Sequence, residues 1–148
     1  MIRLPNSYNL TQGENMNLKN SVIGLMLMAV SAGAMAEWTK IATASSGRFD
    51  NYADLSTIRK SGSTAKMWTL LNYKKAQIAG NGKSYLSTMA RNEYDCNEEK
   101  SRNLSLDLYS GNMRNGDIVE QWEGEDKWSS IPPESIGATT FKIACGAK

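Results

Sequence analysis

Two cysteines set the tightest constraint on this chain. Cys96 lies in "NEYDCNEEK" and Cys145 in "TFKIACGAK", close to a terminus that frays unless something ties it down. What the pair does depends on where the chain works. The segment "MNLKNSVIGLMLMAVSAGAMA", residues 16–36, carries Lys19, an apolar run from Val22 to Val30, and then Ala34-Met35-Ala36. That ending fits the A-x-A pattern that signal peptidase reads, because its pocket takes only small side chains at those sites. The alternative is a membrane anchor, but the apolar run is shorter than the roughly 20 residues a spanning helix needs, and Ser31 and Gly33 interrupt it. A signal peptide over 16–36, cleaved between Ala36 and Glu37, is expected. Residues 1–15 read as an N-terminal extension from a misassigned start, with translation from Met16; a long n-region is the alternative. The remainder, 37–148, is expected to be a single domain.

Export changes the meaning of the thiols. In an oxidising compartment an even count reads first as a disulfide, and Cys96–Cys145 is the one intramolecular pairing available. A redox pair would show C-x-x-C spacing, and a zinc site would draw on histidine, of which the chain has none. No cysteine stands at the end of the leader as a lipobox would place it, so no lipid anchor is expected and the product is expected to be periplasmic or secreted. The net charge is only +2, and Arg3, Lys19 and Glu14 would leave with the leader. Such a balance argues against nucleic acid or an anionic membrane as partner, since both need concentrated positive charge.

The rest reads as short strands joined by turns. "EWTKIATA" is a first strand and "GRFDNYADL" a second, with Phe49 and Tyr52 out of strict alternation, which suggests a bulge or early turn there. In "AKMWTLLNYKKAQ" both faces are apolar, so a central strand covered on each side is expected. Gly80-Asn81-Gly82 is a tight turn, followed by "KSYLSTMARNEYDC". In "SRNLSLDLYS", Leu104, Leu106 and Leu108 share one face, and Asn103, Ser105 and Asp107 share a wet one. Asn115-Gly116 signals a hairpin into "DIVEQWEG". The ending, "SSIPPESIGATTFKIAC", reads as a helix with Pro132 and Pro133 in its first turn, Glu134 and Lys142 placed for the dipole, and Gly146 stopping it. Ala138, Phe141 and Cys145 fall on one side. Thr139 and Thr140 leave a final strand as the rival. The fold expected is α+β: an open antiparallel sheet of five or six strands, with a C-terminal helix on one face tied by the disulfide.

Candidate chemistry is thin. Without histidine, Ser-His-Asp and Cys-His catalysis and the commonest haem ligand are excluded. Asp54, Asp95, Glu98 and Glu99 are the carboxylates near recognisable patterns. Asp54 reads as a turn cap with Arg59 as a partner, and Asn97-Glu98-Glu99-Lys100 as a solvated turn. Trp68 and Trp128 read as core; Trp122, among Glu120, Gln121 and Glu123, is balanced between core and an exposed binding patch. No catalytic residue, metal site or cofactor is expected.

The order "W-x-x-I", "Y-A-D-L-S-T-I-R-K-S-G", "M-W-T-L-L-N-Y", "E-Y-D-C", "W-S-S-I-P-P-E-S" and "K-I-A-C" resembles the surface-adhesin protein E family of Gram-negative bacteria. The more specific pieces are Asp54-x-x-Thr57-Ile58-Arg59, Trp68, Asp95-Cys96, Trp128 to Ser135, and Cys145. The resemblance implies a sheet whose concave face is crossed by a disulfide-held helix. For a lipid-anchored member it also implies binding of host matrix proteins and of haem. The expected function is therefore an exported, non-enzymatic binding protein for a protein or small envelope ligand, with an uncovered sheet face or edge leaving room for a homodimer. A periplasmic enzyme using carboxylates, and haem binding through Met or Tyr, are the alternatives.

Overall fold

The computed structural model describes residues 37–146. The extension, the leader and Ala36 lie outside the described residues; Glu37 is exposed. Six strands form an antiparallel meander, hydrogen-bonded in chain order: β1 (Trp38–Thr43), β2 (Phe49–Ser61), β3 (Thr64–Ile78), β4 (Ser84–Asp95), β5 (Lys100–Tyr109) and β6 (Ile118–Glu123). A seventh, β7 (Ser129–Ser130), returns to pair with Lys100 and Ser101 at the start of β5. An α-helix, α1 (Ile136–Cys145), follows β7. The α+β architecture is the one expected, with β7 as a small addition.

The helix is built differently from its sequence reading. Ser135, not a proline, is its N-cap: its Oγ accepts from the Ala138 N–H at 3.0 Å and donates to the Pro132 carbonyl at 2.6 Å. Pro132, Pro133 and Glu134 stand before the cap, so the first turn holds no acid. Thr140 does not break the helix because its hydroxyl donates back to the Ile136 carbonyl at 2.7 Å. The same hydroxyl accepts from Asn51 on the sheet at 3.4 Å. Beneath the helix, Ala53, Ala65, Met67, Tyr94 and Ala144 form the core, with Ile41, Ile58, Ile131 and Phe141 around them. Small residues on β2 and β3 let the helix backbone come close, and the Phe141 and Tyr94 rings meet edge-on at 6.3 Å.

The Cys96–Cys145 disulfide is formed, with the two Cα atoms 5.7 Å apart. It pins the last helical turn to the exit of β4. Lys60 reinforces the same end, donating to the Cys145 carbonyl at 2.9 Å, where a cation also suits the helix dipole.

The register shifts in each of the five pairings between successive strands β1 to β6, and the shifts on β2 and β5 bear on the sequence reading. The second strand does not stop at Leu55 but runs to Ser61, and its irregularity lies beyond Tyr52, not before it. Asp54 pairs with Trp68 and Arg59 with Lys66, so residues 55–58 stand opposite Met67 alone. On β5, Ser105 pairs with Arg91 but Asn103 with Asn92. Leu104 is the extra residue, and Asn103 therefore leaves the face of Ser105 and Asp107. That face is also drier than expected: Asp107 is buried.

Asn115-Gly116 does not make a two-residue hairpin. The whole stretch 110–117 folds back over the side of the sheet opposite α1. Asn112 Nδ2 donates to Asn72 Oδ1 and to the Tyr73 carbonyl, each at 2.9 Å, and the Arg114 N–H donates to Ser87 Oγ at 3.0 Å. These anchors outweigh the local turn preference. Gly116 keeps a left-handed φ of 78°, and a Cβ there would meet Ser110 Oγ at 2.3 Å. The central strand is thus covered on both sides, as its sequence suggests: by α1 over Met67, and by this loop on the side of Leu70, which is 0% exposed.

Candidate functional site

The side of the sheet opposite α1, where the loop 110–117 does not reach, is left uncovered and carries most of the unassigned chemistry. Its residues follow from the register. One row crosses the strands as Trp38, Asp54, Trp68, Arg91 and Ser105. The next runs Arg59, Lys66, Glu93 and Arg102. Neighbouring strands lie about 4.8 Å apart, so the two indoles stand roughly 10 Å from one another across Asp54.

The bulge in β2 shapes this surface. Asp54 Oδ1 accepts from the Ser56 N–H at 3.1 Å and from the Ser56 hydroxyl at 2.6 Å. Thr57 Oγ1 donates to the Asp54 carbonyl at 2.6 Å and accepts from the Trp68 N–H at 3.1 Å. The threonine hydroxyl thereby stands in for a ladder carbonyl, and the displaced backbone opens two hollows on either side of Thr57 and Trp68. One, of about 220 Å³, is lined by Arg59, Lys66, Met67 and Arg91 as well. The other, of about 230 Å³, is lined by Trp38, Asp54, Met89 and Arg114. Asp54 is a turn cap as expected, but Arg59 does not pair with it: its Nη1 donates to the Ser56 and Ile58 carbonyls.

Charge is sorted by depth. Asp54, Glu93 and Asp107 are buried, whereas Arg59, Arg91 and Arg114 are exposed. Glu93 accepts from Arg102 at 2.6 Å and lies 3.5 Å from Lys66. Asp50, further along the same side, is held by Lys40 at 2.8 Å, by Lys74 and by the Thr43 hydroxyl. Those partners, the Lys40 hydrogen bond first, keep its carboxyl well below the usual carboxylate range. Ser105 Oγ and Asp107 Oδ1 are buried without a hydrogen-bond partner. Arg59, Arg91 and Arg114 form no salt bridge with any carboxylate among the described residues.

The other sequence candidates lie apart. Asp95 Oδ1 caps the turn after β4, accepting from the Asn97 and Glu98 N–H groups at 3.0 and 3.1 Å. Glu98 pairs with Lys100 at 3.6 Å, so that segment is a surface turn as read. Trp128 is not core: it is 38% exposed and lies 4.5 Å from the Arg102 guanidinium, a cation–π contact that replaces burial. Trp122 is 42% exposed on β6, opposite Leu106 on the α1 side. Trp68 is half-buried on the uncovered side. Arg91, Arg114 and Met89 escaped the sequence reading, because single residues on strands and loops carry no motif. Thr57 was visible as part of the resemblance without a role, and Arg59 only as a partner for Asp54.

The methionine and tyrosine of the core are closed to haem. It needs an axial ligand facing an apolar slot. Met67 is sealed in the core at 1% exposure, and burial pushes the Tyr94 phenol far above its ordinary value, which opposes ligation as phenolate. Met89 borders a hollow of about 230 Å³, below the usual range for a cofactor site. Among the described residues no cluster of three or more Cys, Asp or Glu side chains could hold a metal ion. No described helix is long and apolar enough to cross a membrane.

Known proteins share this frame. The selenomethionine form of Haemophilus influenzae protein E superposes with a TM-score of 0.57 at 12% identity, over 81% of this chain and 94% of that one. The crystal structure of protein E from non-typeable Haemophilus influenzae gives 0.53 at 13% identity, over 80% and 81%. At such identities the likeness concerns the fold alone. No curated protein matches the sequence. The family model for surface-adhesin protein E, however, matches residues 38–146, from the first residue of β1 to Gly146, just after α1. With the model spanning the sheet, the bulge, both cysteines and the helix, the chain belongs to the surface-adhesin protein E family.

Proposed function

We propose that the chain is an exported binding module without catalytic activity, whose uncovered sheet face captures a ligand of the host matrix or of the cell envelope. Export rests on the leader of residues 16–36, with cleavage between Ala36 and Glu37, and places the product in the periplasm or outside the cell. Family membership supports an adhesive role. The observation that carries the reading is the pairing of two half-buried indoles, Trp38 and Trp68, with exposed guanidinium groups that no carboxylate neutralises. Aromatic and arginine side chains are the commonest anchors of binding surfaces.

The carboxylate-enzyme alternative draws no support here. It needs two carboxyl groups in one pocket with opposed proton affinities. Asp50, Asp54 and Glu93 instead serve as acceptors for lysine, serine and arginine, and Glu99 and Glu134, which border one hollow beside α1, are both exposed to solvent. The test is binding of the purified protein to immobilised matrix proteins. Saturable binding that Arg91→Gln lowers and Trp122→Phe leaves intact is expected. Failure to bind any of them, or equal binding by Arg91→Gln, contradicts the reading.

A further inference from the structure

We infer that the uncovered face takes an acidic polysaccharide, an inference that rests on the binding-module reading above and names its ligand class. Charge gives the sign. At the surface between β2 and β4 the groups that reach solvent are Arg59, Lys66, Arg91 and Arg114, while Asp54 and Glu93 lie beneath them and are already bonded. Exposed acids stand outside the strip between β2 and β4, with Glu37 before β1, Asp117 at the end of the loop and Glu123 on β6 at its margins. The chain as a whole is nearly neutral, so this is a local field rather than a general basicity.

Shape narrows the class. The two hollows, of about 220 and 230 Å³, adjoin across Thr57 and Trp68 and make a shallow groove in two parts, rather than one deep socket for the anchor side chain that a protein partner usually inserts. Backbone groups of β3 in this region are engaged with β2 and β4, so a peptide cannot add as a strand here; that mode belongs to sheet edges. A glycan needs neither feature. Its rings lie flat on indoles, which offer a large apolar face at little cost in side-chain freedom. Carboxylate or sulfate groups along it meet guanidinium forks, which bind both in a two-pronged manner. The separation of Trp38 and Trp68, roughly 10 Å or two strand spacings, suits successive rings of one chain.

The test titrates the purified protein with a heparin oligosaccharide, a hyaluronan oligosaccharide and a neutral dextran oligosaccharide, following tryptophan fluorescence and calorimetry. Binding of heparin, of hyaluronan or of both is expected, with none by dextran; the two acidic arms separate sulfate from carboxylate recognition. Affinity should fall with added salt, by about tenfold in Arg91→Gln, and again in Trp68→Phe. Lys142→Gln, on the exposed side of α1, should leave it unchanged. Arg91 is exposed, so its variant tests the inference even if the tryptophan change disturbs folding, which thermal melting reports. No binding by either acidic chain at low salt, or binding equal in Arg91→Gln, overturns the inference. Matrix-protein binding that survives heparinase and hyaluronidase treatment yet is lost in Arg91→Gln overturns it while sparing the binding-module reading. Binding of polyglutamate in place of the glycans does the same.

Discussion

Asp50 is 4% exposed yet ionised, because Lys40, Lys74 and Thr43 all donate to it. Its native proton affinity lies below that of the unfolded chain, so its contribution to stability is complete above the unfolded value of about 3.9 and is lost as pH falls through that value toward the native one. Thermal melts between about pH 4 and pH 2 should therefore drop more steeply for the natural protein than for Asp50→Asn. Parallel acid limbs would show that the two lysines do not hold the charge. Asp54 is a different case: buried, and bonded to Ser56 alone. Asp54→Ala removes two hydrogen bonds from Ser56, whose exposed donors can turn to water, and should cost about 1 kcal/mol in urea denaturation. It should also weaken ligand binding, because the bulge that lifts Thr57 beside Trp68 loses its stitch. A loss of stability with unchanged binding would separate the bulge from the groove.

At the scale of elements, the loop 110–117 does more than join β5 to β6. It shields the side of β3 that bears Leu70, and it is held by Asn112 on Asn72 and Tyr73 and by Ser87 on Gly111 and Arg114. Asn112→Ala should destabilise the protein by about 1 kcal/mol and raise hydrogen exchange in β3 and β4 next to the loop; unchanged protection would mean that the cover is dispensable. This loop marks where sequence reading stops. Alternation of side chains made the strands legible, since "SRNLSLDLYS" and "EWTKIATA" carry their period within themselves. The helix was legible through its serine, its lysine and the terminal cysteine, although the prolines proved to precede the cap. What could not be read depends on bonds between distant segments. Asn115-Gly116 has the chemistry of a tight hairpin, yet asparagines forty positions apart decide the matter. Likewise residues 55–58 continue a strand only because a threonine hydroxyl replaces a missing carbonyl. Arg91 joins the site only when the register lays it beside Trp68, and Arg114 only when the folded-back loop brings it to Trp38.

For the whole molecule the decisive fact is that a single sheet has no core of its own. Ala53, Ala65, Met67 and Tyr94 are buried only while α1 lies on them, so sheet and helix must stand or fall together. The helix is ten residues long, too short to persist alone in water. What keeps it in place is the disulfide across 49 positions, with Lys60 on its last carbonyl. Closing a loop of that length removes about 4 kcal/mol of unfolded-chain entropy, a large part of the 5–15 kcal/mol typical of a domain. Reduction, or Cys145→Ser, should thus lower the urea midpoint markedly while far-UV circular dichroism and tryptophan fluorescence still change together. The four tryptophans report on the strands and the segment before the helix, whereas circular dichroism also senses the helix itself. A helix signal that melts first, leaving the fluorescence transition where it was, would mean that the sheet supports itself and that the bond merely tethers a separable tail. Coincident transitions at a lower midpoint would mean that the sulfur link holds the one contact from which the uncovered face, on the other side of the same strands, draws its rigidity.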